Sequence, residues 1–167
     1  MEIIKNALDK ILATICTILF SGMVVLVTWQ VITRFFFNNP SAISEELAKY
    51  GFVWLVLFGA AFVFGENGHM AIDFIKDKFP RTLQMITEVF IEVVIFAFSA
   101  LILVKGGFAA TSLAWNQMNA SLNLPMGYLY LAIPLSGIFT MYYCVYNIYI
   151  ISKKKKPLEE INLHEGS

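Results

Sequence analysis

Between Lys10 and Arg34 the chain carries 23 consecutive uncharged residues, Ile11 to Thr33, and three more apolar runs follow it. Crossing about 30 Å of hydrocarbon takes about 20 apolar helical residues. Inside such a layer a helix satisfies its backbone hydrogen bonds within one segment. The runs therefore predict an all-α polytopic membrane protein with spans at about 11–33, 47–65, 89–110 and 126–151. The first run is longer than the apolar core of a signal peptide and ends without a small-x-small cleavage site, so it is expected to stay in the mature chain. Composition agrees: 58% of the 167 residues are hydrophobic and 14% charged, too little polar surface to cover a soluble globule. Twelve basic residues balance twelve acidic ones, so the field that nucleic-acid binding requires is missing.

The boundaries follow from local signals. Tyr50 to Gly65 are uncharged, and Ser44-Glu45-Glu46-Leu47-Ala48-Lys49 reads as the opening of the same helix, its acids near the positive end of the macrodipole. The third run starts after Pro80 and is interrupted by Glu88, Glu92 and Lys105. From Gly106 to Ser152 there are 47 uncharged residues, divided by Asn116-Gln117-Met118-Asn119 and by Asn123-Leu124-Pro125, with Pro134 predicted to kink the fourth span. Arg34 to Lys49 suits a short helix in the outer interface, and Ile72, Ile75 and Phe79 against Asp73, Lys76 and Asp77 suit an amphipathic turn on the inner surface. Residues 153–167 are a basic stop and a polar tail, expected to be unfolded from Pro157.

Lysine and arginine concentrate on cytoplasmic flanks. Lys5, Lys10, Lys76, Lys78, Arg81 and Lys153 to Lys156 make nine on one side, against Arg34, Lys49 and Lys105 on the other. Both termini are therefore placed in the cytoplasm. Phe35 to Phe37 close the first span, and Tyr142, Tyr143, Tyr146 and Tyr149 are expected to ring the inner end of the fourth.

Few residues suggest chemistry. Glu88 and Glu92 stand four apart on one helical face, and ionisable groups at membrane depth raise a functional reading by default. They could form a proton or ion relay; the helix start at Pro80, which draws Glu88 toward the inner interface, favours an interfacial or subunit-packing ion pair. His69 precedes Asp73 by four residues, short of the three or four ligands of a zinc site. Cys16 and Cys144 sit in apolar runs as small buried hydrophobes, with no C-x-x-C pair, and no cofactor is expected. Ala13, Thr17 and Ser21, like Gly59-Ala60-Ala61, form small-residue stripes that permit close helix approach, inside the bundle more often than toward a separate subunit.

Arg34-Phe35-Phe36-Phe37, then Ser44 to Tyr50, Trp54, Gly59-Ala60-Ala61, Gly68-His69 and Asp73 resemble the small membrane subunit of TRAP transporters, the DctQ-like family. Leu124-Pro125-Met126 leading to Ala132-Ile133-Pro134 resembles that family's entry into its last helix. Where the family often has Trp ahead of the Glu-Glu pair, this chain has Ile43. The resemblance implies a bacterial inner-membrane protein that braces the large, moving subunit of a sodium-driven importer of organic acids such as sialic acid or C4-dicarboxylates. It implies two protein partners, the large membrane subunit and a periplasmic substrate-binding protein. Candidate interface or docking residues are Arg34, Glu45, Glu46, Trp54, Gly59, His69, Asp73, Glu88, Glu92 and Pro125. The alternatives are a four-helix membrane oxidoreductase, which would need paired cysteines or histidine ligands, and a self-contained exporter using Glu88 and Glu92.

The charge count makes a direct prediction. Reporter fusions after His164 and at Asn119 read inside and outside respectively, and an outside reading at His164 contradicts four spans with cytoplasmic ends.

Overall fold

The computed structural model of the chain describes residues 2–36, 41–67 and 81–164. His69, Asp73, the expected inner amphipathic turn, Pro80 and the Asn39-Pro40 pair lie outside the described residues. Among the described residues, four helices are long and apolar enough to cross a membrane: Glu2–Phe36, Ala42–Glu66, Ile86–Ala114 and Gly127–Lys153.

Helix α1 (Glu2–Phe36) and helix α2 (Ala42–Asn67) form the first two spans. Ser41 caps α2: its hydroxyl accepts from the Ser44 amide at 3.4 Å and from the Ser44 hydroxyl at 3.0 Å. The cap starts α2 early enough to take in Glu45, Glu46 and Lys49, while Arg34 belongs to the last turn of α1. No separate interfacial helix over 34–49 is therefore left among the described residues.

The third span is composite: α3 (Arg81–Phe98), a π-helical stretch Ser99–Gly106, and α4 (Gly107–Ala114). The fourth opens with one short turn, α5 (Gly127–Tyr130), and continues as α6 (Ala132–His164). The interruption at Leu131 sits where Pro134 requires it, since Pro134 cannot donate to the Tyr130 carbonyl and its ring crowds that group. At the other end α6 runs on through His164, so the tail expected to be unfolded from Pro157 is helical in the structure up to that residue.

The spans pack in the order one, two, four, three. In the most apolar stretch of each, 33% of the fourth span is buried, against 6%, 11% and 11% of the first three, which makes the fourth the hub. Leu12, Phe58 and Tyr143 form the buried centre, joining α1, α2 and α6. Phe58 meets Trp54 and Phe139 edge to face, at 5.2 and 5.5 Å between ring centroids. Two of the four tyrosines expected to ring the inner end, Tyr143 and Tyr146, are buried within the bundle instead. Spans one and three, at the edges, leave long apolar faces bare.

The small-residue stripe of α1 is one such face: Thr17 and Ser21 point away from the bundle, so internal packing is not its role here. Among the contacts that do require glycine is Gly107 against Pro134, where an added Cβ would lie 2.8 Å from the proline Cδ and 2.9 Å from its nitrogen. A Cβ at Gly59 would meet nothing within 4 Å. Gly107→Ala is therefore expected to destabilise the purified subunit by about 1–3 kcal/mol, and Gly59→Ala to leave it unchanged or slightly more stable. Thermal unfolding in detergent, followed by helical circular dichroism, checks this; equal losses would contradict the packing.

Candidate functional site

Polar side chains on this apolar scaffold gather in three places. At the outer end, Asn119 folds the loop between spans three and four: its Oδ1 accepts from the Ser121 and Leu122 amides at 2.9 and 3.1 Å, and Met118 bridges Pro125 in antiparallel fashion. Asn123 adopts φ 55°, the left-handed conformation that asparagine tolerates. The Asn119 Nδ2 donates to Glu46 Oε2 at 2.8 Å, and Lys49 Nζ donates to Glu46 Oε1 at 2.8 Å while pairing with Glu45 at 3.1 Å. Glu46 thus ties the outer loop to the head of α2. Glu45, with 64% of its side chain exposed, faces away. Trp54 Nε1 donates to the Tyr128 carbonyl at 3.1 Å, a second tie between α2 and the start of span four.

At the inner end, Tyr143 donates its phenol proton to Asp9 Oδ1 at 2.6 Å, and Lys5 Nζ donates to Asp9 Oδ2 at 2.6 Å. This locks α1 to α6. Nothing in the sequence singled out Asp9, whose partner lies 134 residues away.

The third place is also toward the inner end, one turn further along α6. Glu92 on α3 is 1% exposed, and its Oε1 accepts from Asn147 Nδ2 on α6 at 2.9 Å. Its Oε2 is buried without a hydrogen-bond partner among the described residues, and the Cys144 thiol, a weak donor, lies near the carboxyl group. The ion pair expected at Glu92 is therefore an amide-to-carboxyl hydrogen bond inside the bundle, and Glu92 presents nothing to another chain. The sequence pointed to the residue through its depth; its partner was hidden because Asn147 sits among tyrosines at the end of an apolar run. Glu88, one turn earlier, is half-buried and engaged.

The remaining candidates lie apart. Arg34 is exposed at the end of α1, where a cation suits the negative end of the helix. Gly59 lies on an open face, and Pro125 is half-buried in the outer loop. Cys144 is buried and Cys16 half-buried in the core. Lys105, counted above as an outer flanking charge, lies inside the third span, nine residues before its end at Ala114. Removing it leaves nine basic residues against two, which does not change the side that the charge count favours.

A family model for the DctQ component of tripartite ATP-independent periplasmic transporters matches residues 23–153. The chain is 29% identical over 138 residues to a protein of Haemophilus influenzae named as a TRAP transporter small permease, covering 83% of this chain and 85% of that one. It is 25% identical over 153 residues to the sialic acid TRAP transporter small permease protein SiaQ of Vibrio cholerae, covering 92% and 88%. It is also 30% identical over 78 residues to the sialic acid TRAP transporter permease protein SiaT of Haemophilus influenzae, covering 47% of this chain and 13% of that one. The chain belongs to the DctQ family of TRAP transporter small permease subunits, multi-pass proteins of the inner membrane.

Proposed function

We propose that this chain is the bracing subunit of a tripartite sodium-driven importer of organic acids and binds no substrate itself. One observation carries the reading: the carboxylates of the bundle are spent on its own helices. Asp9 ties α1 to α6, Glu92 ties α3 to α6, and Glu46 ties α2 to the outer loop. Each hydrogen bond to a charged group contributes about 1.5–3 kcal/mol, so these contacts stiffen the scaffold and, among the described residues, leave no line of groups across the membrane. A proton relay through Glu88 and Glu92 would need such a line.

The relatives named for sialic acid transport support sialic acid as the substrate class, with C4-dicarboxylates as the second reading. The match to part of a larger permease supports a large membrane partner. On the outer face, Glu46 shapes the docking surface indirectly, by holding the Asn119 loop, while exposed Glu45 and Arg34 supply charge toward the large subunit and the delivery protein. In the periplasm-facing orientation that the charge count gives, this is the side on which a delivery protein docks.

Reconstitution tests the reading. The chain alone in liposomes with a sodium gradient shows no uptake above empty vesicles, and the large subunit with the delivery protein shows full uptake only when the chain is present. In the complete system Glu92→Gln keeps uptake within about twofold, since glutamine still accepts from Asn147. Glu45→Lys lowers uptake in a salt-sensitive way while the two membrane subunits still co-purify. Uptake by the chain alone, or its abolition by Glu92→Gln with intact assembly, would contradict the scaffold role.

A further inference from the structure

Lys105 is an exposed cation at membrane depth with no partner among the described residues. Several exposed hydroxyls of the spans satisfy themselves. Thr14, Thr17, Thr28 and Thr87 each donate to the carbonyl four residues earlier, and Ser112 to the one three earlier, at 2.7 to 2.9 Å. A lysine ammonium has three donors and a full charge, and cannot be quieted in that way. Left facing hydrocarbon it is costly, which is why lysines in spans pair with something.

We infer that Lys105 forms an intramembrane ion pair with an aspartate or glutamate on a helix of the large membrane subunit, and that the outer half of span three is where that subunit docks. The inference rests on the bracing function above. Three features favour a protein carboxylate over a lipid phosphate. Depth is the first: Lys105 stands nine residues before the end of α4, roughly 13 Å below it at 1.5 Å per residue. Direction is the second. The third span runs from the inner to the outer side, and Cα–Cβ bonds tilt toward a helix N-terminus, so the lysine stem starts inward, away from the nearer headgroups. The third is the surroundings. Gly106, Ala109 and Ser112 are exposed on the same stretch, and a Cβ at Gly106 would meet nothing nearer than the Leu101 carbonyl at 3.8 Å. Small residues around a charge on an open helix face let a second helix come close enough to bring a carboxylate to it. Span three is also an edge span, its inner side held by α6 through Gly137, where a Cβ would lie 2.7 Å from that of Leu103. The bare side is therefore fixed, and it carries Lys105.

Co-expression with the large subunit, tagged on that subunit, gives the test. Lys105→Met is expected to reduce the small subunit recovered with its partner at least about tenfold, and Lys105→Arg to keep it near wild type. The isolated subunit carrying Lys105→Met should express and unfold like wild type, which separates lost docking from lost folding. Independently of any variant, dicyclohexylcarbodiimide, which enters hydrocarbon, should join Lys105 to an acidic residue of the large subunit by an amide bond, identified by mass spectrometry of the wild-type complex. If the wild-type chain does not co-purify with the large subunit, the bracing function falls and this inference with it. If it co-purifies, Lys105→Met does so equally and no such cross-link forms, the ion pair alone is overturned, and a lipid phosphate takes its place as the partner.

Discussion

Hydrocarbon offers no hydrogen bonds, and every polar contact in this protein is shaped by that lack. The backbone answers it by remaining helical for nearly the whole described length, and the side chains by closing on one another across the bundle. Tyr143 reaches Asp9, Asn147 reaches Glu92, and Asn119 reaches Glu46. Two of these bonds link the spans toward the inner end and the third at the outer end. Without hydrophobic force between helices in lipid, such ties and close packing around small residues are what hold the spans in register. Gly107 against Pro134 and Gly137 against Leu103 supply the second ingredient along span four.

What the sequence made legible follows from the same constraint. Spans are visible because hydrocarbon demands about 20 apolar residues in a row, a condition each run meets by itself. The break at Leu131 is legible from Pro134, while the placement of Lys and Arg gives an expected orientation. Hidden were the pairings, because each joins residues 55 to 134 positions apart and no local pattern couples them. Asp9 looked like an ordinary inner-face charge and Tyr143 like one of a ring of interfacial aromatics. Residues 34–49 misled because their mixed composition resembles an interfacial helix. The Ser41 cap instead merges 42–49 into α2, and α1 absorbs Arg34. The π-helical stretch in span three has no signature in Ser99 to Gly106 that distinguishes it from an α-helix.

The architecture accounts for a subunit that supports transport without performing it. A bundle in which span four is the hub and spans one and three are edges has little interior room for a substrate path, and its exposed faces are broad and apolar. Such faces suit lipid or a larger partner. On one of them a lysine has no partner among the described residues, whereas exposed Thr14, Thr17, Thr28, Thr87 and Ser112 bond back to their own helices.

The central claim is that this chain functions as one part of a larger membrane assembly. Native mass spectrometry of the co-expressed membrane subunits, released from bilayer nanodiscs, addresses it directly. The predicted result is a species whose mass is the large subunit plus 18.9 kDa for this chain. A spectrum containing the large subunit alone, beside this chain alone or associated only with copies of itself, would contradict the account.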